Sequence, residues 1–312
     1  MSENRKIWFI TGISRGLGLE LAKAVLAGGD VVIGTTRDGN SALPSVSHRL
    51  HLLPLELPSA NEVNRAIVRA HALHGRLDVV VNNAGYGLLG AIEEAAAAEV
   101  RRVFEVNFFG PLQVIQAALP FLRAQRRGHI VNISSIAGLA PLPGSGIYAA
   151  TKFALEGLSE SLAKEVGSLG IRVTLVEPGA LRTDFLSAHS MRTASGSIAA
   201  YAETSGKTVH YLREIAGQQP GDPVRAARAI IEAVEAKEPP LHLVLGSDAL
   251  RRARVKFQHL SEEVDRWEPV SLGTDFAAQP EFGPVKTMRN AEGARPPLPA
   301  SGREVTFKKV RR

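Results

Sequence analysis

The sequence contains no cysteine and no long hydrophobic run. The absence of cysteine from the 312 residues excludes disulfide bonds and thiolate metal sites. No run of about 18 apolar residues occurs, so we predict no transmembrane helix. The first residues, MSENRK, are polar and lead directly into a strand-like segment. We therefore expect no signal peptide and a cytoplasmic protein.

A recognisable metal-binding pattern is also missing. The nine histidines include no HExxH motif. His71 and His74 are three residues apart on a predicted helix, but no cysteine and no carboxylate cluster accompanies them. We therefore expect no metal site.

The net charge of +6 is concentrated near the C-terminus. Residues 277–312 contain eight Lys or Arg and three Asp or Glu, a net charge of +5, which leaves +1 for the preceding residues. A neutral body with a basic tail differs from the basic face of a nucleic-acid-binding domain, so we expect no nucleic-acid partner. Proline, glycine and charged residues dominate the tail and predict that it is disordered.

Short apolar runs alternate with helical stretches along most of the chain. The runs typical of strands occupy residues 6–11, 31–35, 50–57, 77–81, 129–134, 171–176 and 241–245. This alternation predicts an α/β fold with a doubly wound parallel sheet of about seven strands flanked by helices. We expect one domain over residues 1–276. Its last helix, over 247–267, has an apolar stripe that we expect to pack on the body rather than to bind a partner.

A glycine-rich turn lies between the first strand and the first helix. It reads TGISRGLG and contains Gly12, Gly16 and Gly18. Between a strand and a helix, such glycines let the backbone approach a pyrophosphate at the helix N-terminus. The turn therefore predicts a nucleotide-binding site.

The residues after the second strand indicate which dinucleotide is bound. Thr36 stands where an acidic residue would hold the ribose of NAD, and Asp38 comes too late in the chain to replace it. Arg37 and Arg15 supply positive charge that favours the 2′-phosphate of NADP. The alternative for Arg37 alone is an ordinary solvated loop charge.

Tyr148 and Lys152 are four residues apart on a predicted helix and therefore share one face. A free phenol titrates near pH 10, and a neighbouring cation lowers that pKa. The two residues are a candidate proton-transfer pair. The alternative is a partly buried tyrosine beside a solvated lysine. Asn107 lies within another predicted helix, over 96–126, where asparagine is unfavourable unless it has a role.

The regular pattern weakens between residues 180 and 219. This segment contains Phe185, Met191, Tyr201 and Tyr211 and is a candidate lid over a pocket.

Taken together, these motifs resemble those of the short-chain dehydrogenase/reductase family. The resemblance covers about residues 6–245 and rests on TGISRGLG, NNAG at 82–85, Asn107, Ser135, Tyr148, Lys152 and PGALRT at 178–183. It implies a Rossmann fold and a nicotinamide cofactor, NADP rather than NAD. The cofactor residues implied are Gly12, Ser14, Arg15, Gly16, Leu17, Gly18, Arg37, Asn83, Ala84, Gly85, Tyr148, Lys152, Pro178, Gly179 and Thr183. Leu55-Glu56-Leu57 departs from the family, because Glu stands where Asp is usual at the adenine contact.

The resemblance also implies a reaction. Tyr148 would donate a proton to a carbonyl oxygen, Lys152 would lower the pKa of Tyr148 and bind the nicotinamide ribose, and Ser135 would orient the carbonyl. Asn107 would hold a water linked to Lys152. Ser135 is preferred to Ser134 because it precedes Tyr148 by thirteen residues, the interval usual in the family. We expect a small carbonyl or alcohol substrate and a homo-oligomer, a dimer or tetramer.

Two other functions fit the same sequence. One is a catalytically silent NADP-binding sensor or scaffold, which would not need an intact Ser-Tyr-Lys set. The other is docking to a membrane or nucleic acid through the basic tail, which truncation near residue 277 would abolish without changing NADPH turnover.

Overall fold

The computed structural model describes residues 5–40, 43 and 47–276. The predicted tail, 277–312, lies outside the described residues. The chain divides into two compact units, Met1–Ser261 and Glu262–Arg312. The single domain over 1–276 stays a prediction. Within the described part, no helix combines the length and the apolar character that crossing a bilayer requires.

Seven strands form one parallel sheet. The strands of the chain are β1 (Ile7–Thr11), β2 (Val31–Thr36), β3 (Leu50–Pro54), β4 (Val79–Asn82), β5 (Gly87–Leu89), β6 (Gly128–Ile133), β7 (Ile171–Pro178), β8 (Met191–Thr193) and β9 (His242–Leu245). The sheet has the spatial order β3-β2-β1-β4-β6-β7-β9. This confirms the predicted fold. The order reverses between β1 and β4, and ligands of such sheets bind at the carboxyl ends of the strands beside this point.

Helices cover both faces of the sheet. They are α1 (Gly16–Ala27), α2 (Ala60–His74), α3 (Ala97–Phe104), α4 (Gly110–Gln125), α5 (Gly146–Val166), α6 (Lys207–Glu214), α7 (Pro223–Glu235) and α8 (Ser247–Leu272). α1 and α7 bury their apolar sides in one core. α2, α4 and α5 contribute to the other.

Strand β1 shows why the central strands read as unbroken apolar runs. Ile7 and Phe9 lie in one core, and Trp8 and Ile10 lie in the other. Because both faces of a parallel sheet are covered, neither set of alternating side chains meets water.

The predicted helix over 96–126 is interrupted. A π-helical turn, Glu105–Phe109, separates α3 from α4 and contains the buried Asn107. Turns of this kind occur often at functional sites. The apolar spacing could not reveal the interruption, because helical phasing continues on both sides of it.

Packing of the last helix agrees only partly with the prediction. Ala249 and Ala253 are buried against Ile136 and Ala140. Beyond them, Phe257, Leu260, Val264 and Trp267 are exposed. Within the first unit, the expectation that the stripe packs on the body is therefore wrong for Phe257 and Leu260.

A second, two-stranded sheet joins β5 to β8. Gly87 pairs with Met191, and Leu89 pairs with Thr193, in parallel register. A Cβ atom on Gly87 would lie 2.1 Å from Met191 Sδ, so a larger residue there would displace the Met191 side chain. The small sheet attaches the beginning of segment 180–219 to the loop after β4.

Candidate active site

A cavity of about 520 Å³ opens at the carboxyl ends of the central strands. Its lining includes every predicted cofactor and catalytic residue except Gly18 and Asn107. Residues distant in sequence meet there because all of them lie near the carboxyl ends of strands of the same sheet. Some directly follow a strand, and others begin a helix beside one.

Thr11, at the end of β1, joins two of the predicted motifs. Its Oγ1 accepts hydrogen bonds from the backbone N–H groups of Asn83 and Ala84, both at 3.0 Å. The Asn83 amide in turn donates to the carbonyl oxygens of Thr11 and Gly12, both at 2.9 Å. The turn after β1 and the turn after β4 are therefore held as one rigid wall.

The glycine-rich turn leaves a cradle for an anion. Gly12 and Gly16 have φ angles of +73° and +61°, a region that favours glycine. Helix α1 begins at Gly16 without a side-chain cap and without an acidic residue in its first turn. Its free N–H groups border the cavity, and they suit the pyrophosphate of a dinucleotide.

Gly18 does not line the cavity but allows close packing of the glycine-rich turn against Asn83. A Cβ atom there would lie 2.3 Å from the Asn83 amide nitrogen and 2.5 Å from the Gly12 carbonyl oxygen. We expect Gly18→Ala to lower the free energy of unfolding by about 1–3 kcal/mol. The control is Gly157→Ala in α5, where nothing lies within 4 Å and stability should rise by about 0.5–1 kcal/mol. Urea unfolding of both variants measures the difference; equal effects would contradict the packing argument.

Positive charge lies at the β2 end of the cavity. Arg15, Arg37 and Thr36 all line it, and of the three Thr36 is buried. Asp38 is engaged by its own loop: its Oδ1 accepts from Thr36 Oγ1 at 3.3 Å and from the Asn40 N–H at 3.0 Å. The Asn40 hydrogen bond lowers the pKa of Asp38. Leu55, Glu56 and Leu57 line the same end of the cavity.

Tyr148, Ser135 and Lys152 meet on the cavity wall. Lys152 Nζ lies 5.8 Å from the centre of the Tyr148 ring and donates a hydrogen bond to the Ile133 carbonyl at 2.8 Å. Ser135 lines the same wall and lowers the pKa of Tyr148. Both members of the Tyr-Lys pair are buried, with 6% of each exposed. The lysine is therefore not the solvated residue of the alternative interpretation.

Burial controls the protonation of this group. It raises the pKa of Tyr148 to about 12, and the Ser135 hydrogen bond opposes the rise. Burial lowers the pKa of Lys152 to about 8, and the neighbouring Glu156 carboxylate opposes that fall. The direction for Tyr148 is opposite to the one expected from a nearby cation, because desolvation of the phenolate outweighs the attraction. At neutral pH the phenol holds its proton and can donate it.

Asn107 lies behind the cavity wall. Its Oδ1 accepts from the Tyr86 N–H at 3.0 Å, and its amide donates to the Tyr86 carbonyl at 2.8 Å and to Thr151 at 3.2 Å. These bonds fix the loop after β4 against α5.

The two adjacent serines point to different partners. Ser134 is buried and donates a short hydrogen bond to Glu156, beneath the site. Ser135 Oγ accepts a hydrogen bond from the Ala137 N–H at 3.1 Å, and Ser135 lowers the pKa of Tyr148. Of the two, only Ser135 has a side chain engaged with the Tyr-Lys pair.

Asp248 was not found by sequence reasoning. It stands in the first turn of α8 and accepts a hydrogen bond from the Ala180 N–H at 2.9 Å. A Cβ atom on Gly179 would collide with its carboxylate at 2.2 Å. Asp248 therefore fixes the PGALRT loop in place. The sequence does not indicate this contact, because Gly179 and Asp248 are 69 residues apart.

Segment 180–219 forms much of the remaining wall. Of the four residues singled out in the sequence, Phe185, Met191 and Tyr211 line the cavity. Tyr201 does not, because its hydroxyl donates to Glu93 at 2.6 Å. Arg192, from the same segment, lies 5.0 Å from the centre of the Tyr86 ring.

Comparison with known proteins identifies the family. The family model described as short chain dehydrogenase matches residues 6–193. An oxidoreductase of Botryotinia fuckeliana, BOA17, is 38% identical over 86% of this chain and 99% of its own length.

Solved structures agree with this match. A short-chain dehydrogenase from Streptomyces avermitilis has a TM-score of 0.82 and 39% identity over 88% of this chain and all of its own. ElxO, solved with NADP, has a TM-score of 0.66 and 27% identity over 79% of this chain and 99% of its own. Sequence, fold and cavity agree: the chain belongs to the short-chain dehydrogenase family of oxidoreductases.

Proposed function

We propose that this enzyme uses NADP(H) to interconvert a carbonyl compound and the corresponding secondary alcohol, with Tyr148 as the general acid and base. The observation that carries the proposal is the convergence of Ser135, Tyr148 and Lys152 on the cavity that the glycine-rich turn also lines. The nicotinamide, when bound, supplies or accepts the hydride.

The chain's own groups handle the proton and the developing charge. In reduction, Tyr148 transfers its phenolic proton to the substrate oxygen as that oxygen becomes negative. Ser135 donates a hydrogen bond to the same oxygen and stabilises its charge. Lys152, anchored by the Ile133 carbonyl, places a positive charge beside the resulting phenolate. Asn107 keeps the adjoining loop in place.

The preference for NADP rests on residues of this chain. Solved relatives contain NADP in some cases and NADH or NAD in others. Here Arg15 and Arg37 line the expected 2′-phosphate end, and Asp38 is bonded within its loop. Glu56 lines the same end but is paired with Arg102 at 3.4 Å. Two cations beside carboxylates that are engaged elsewhere favour the phosphorylated cofactor.

The cavity also favours an apolar substrate. Its lining includes six hydrophobic side chains beside polar ones such as His189 and Arg192, namely Leu89, Leu142, Phe185, Leu186, Leu212 and Ile215. Hydrophobic lining with a few placed polar groups is typical of sites that take small apolar ligands. We therefore infer a ketone or aldehyde with an extended apolar skeleton.

A substrate panel tests the proposal. Aldehydes and ketones of increasing chain length are incubated with enzyme and NADPH or NADH, and loss of the reduced-cofactor absorbance is followed. We expect turnover with NADPH that improves with apolar length. Cofactor binding without turnover of any carbonyl or alcohol would instead support the silent sensor.

The pH dependence of the reverse reaction gives a second test. Alcohol oxidation needs Tyr148 without its proton, and burial raises the pKa of Tyr148 to about 12. Below that value the phenolate fraction grows with pH, so kcat/KM for oxidation should rise from pH 7 to 10 by up to about tenfold per pH unit. Circular dichroism at each pH controls for unfolding. If kcat/KM for oxidation does not change with pH above 7, the pKa of Tyr148 does not control this reaction.

A further inference from the structure

A cluster of ionisable side chains lies beneath the active site, outside the cavity lining. Glu156 comes from α5, Glu177 from β7 and His242 from β9. Leu175 pairs with His242 and Glu177 with Val244, so Glu177 and His242 project from the same face of the sheet, the face that α5 packs against. One ligand atom from each of the three residues can be chosen so that all lie within 4.8 Å of one another.

The two carboxylates are buried without enough partners. Glu177 has 0% and Glu156 has 4% of its surface exposed. Five buried side-chain atoms lack a hydrogen-bond partner among the described residues, and the two that belong to carboxylates are Glu156 Oε2 and Glu177 Oε2. An unpaired buried carboxylate costs several kcal/mol unless it binds a proton or a cation.

Neighbouring residues outside the cluster also contact two of the three side chains. Ser134 donates to Glu156 Oε1, which leaves Oε2 directed elsewhere. His242 Nδ1 lies 2.7 Å from Glu177 Oε1 and 3.8 Å from Glu156 Oε2, while its Nε2 faces Glu160 at 3.9 Å. A histidine between buried ligands and an outer carboxylate is the arrangement found around protein-bound metals.

We propose that Glu156, Glu177 and His242 bind a divalent metal ion of the Zn²⁺ or Mn²⁺ class. Ligand atoms around a Zn²⁺ ion, at about 2.1 Å from it, are about 3.5 Å apart. His242 Nδ1 and Glu156 Oε2 are close to this at 3.8 Å, whereas His242 Nδ1 and Glu177 Oε1 are hydrogen-bonded at 2.7 Å. Binding therefore requires that the ion replace this hydrogen bond, with the unpartnered Glu177 Oε2 as the other available ligand atom. One imidazole nitrogen with two carboxylates suits these ions better than Mg²⁺ or Ca²⁺, which prefer oxygen ligands alone. Access is through His242, whose side chain is 38% exposed. The site departs from the sequence-based expectation of no metal.

The test uses the untagged full-length protein, stripped with chelator and dialysed. Isothermal titration with ZnCl₂ and with MnCl₂ should show one site per chain for at least one of the ions. Glu177→Gln and His242→Asn should each weaken binding by at least about 100-fold, since loss of an outer partner alone costs 10–100-fold. Metal content by mass spectrometry of protein purified without chelator provides an independent measurement.

A matched control separates this site from adventitious binding by histidines. His51 and His74 bring their Nε2 atoms within 3.1 Å and could hold Zn²⁺ between them. His74→Asn should leave the stoichiometric site intact. The proposal is overturned if wild-type protein shows no site, or if His74→Asn removes binding and His242→Asn does not. The wild-type titration requires no variant to fold, and the thermal shift on adding metal checks it.

Discussion

Replacing Tyr148 with Phe should reduce turnover by about 10²- to 10⁴-fold and leave NADPH binding nearly unchanged. The substitution removes one oxygen atom from a buried ring that lies beside Lys152 and whose pKa Ser135 lowers. Without the phenol no other described group at this position combines a transferable proton with contact to Ser135. Steady-state turnover and cofactor titration by fluorescence give the two quantities.

Tyr86→Phe is the matched control for this prediction. Tyr86 lines the same cavity, and burial raises the pKa of its hydroxyl as well, but its ring is paired with Arg192. Its variant should lose less than about threefold in turnover, because this hydroxyl is not a proton donor in the proposed reaction. Near-normal turnover of the Tyr148 variant would refute the proposed acid, whereas equal losses in both variants would indicate a general effect on the cavity.

Replacing Arg37 with Ala should weaken NADPH binding by about 10- to 150-fold and leave NADH binding almost unchanged. A charge-assisted hydrogen bond to phosphate contributes about 1.5–3 kcal/mol, and about 1.4 kcal/mol corresponds to a factor of ten. Arg37 is exposed at the end of β2, so its removal should not disturb the buried strand. Fluorescence titration of both cofactors against both proteins measures the selectivity.

Arg251→Ala provides the control, because Arg251 is an exposed arginine of the same cavity but belongs to α8. It should leave the affinities for both cofactors close to wild type. Equal losses for NADPH and NADH in Arg37→Ala would mean that Arg37 supports only its loop. A wild-type preference for NADH would overturn the assignment of NADP altogether.

The fold was largely predictable because its signals are local. Apolar runs such as residues 6–11 are buried on both faces, and the helices between them carry one apolar side. The pairing of β5 with β8 was not predicted. Each strand has only three residues, which is too short for a recognisable alternating pattern.

The site was predictable to a similar degree, for the same reason. Tyr148 and Lys152 lie one helical turn apart, and the glycine-rich turn is continuous in sequence. The direction of the Tyr148 pKa was not predictable, since it depends on burial by residues from several elements. The cluster of Glu156, Glu177 and His242 also escaped detection, because a helix and two strands bring it together.

The small sheet of β5 and β8 constrains how this enzyme could be re-engineered. Residues 191–193 are paired backbone to backbone with residues 87–89, and Gly87 is matched to Met191. Replacing residues 191–193 with those of a relative would therefore require replacing residues 87–89 with that relative's residues as well. Residues 202–216 have no strand pairing in the described part of the chain and include Tyr211, Leu212 and Ile215 of the cavity wall. A library that diversifies this stretch alone would alter the wall while keeping the interlocked pair intact.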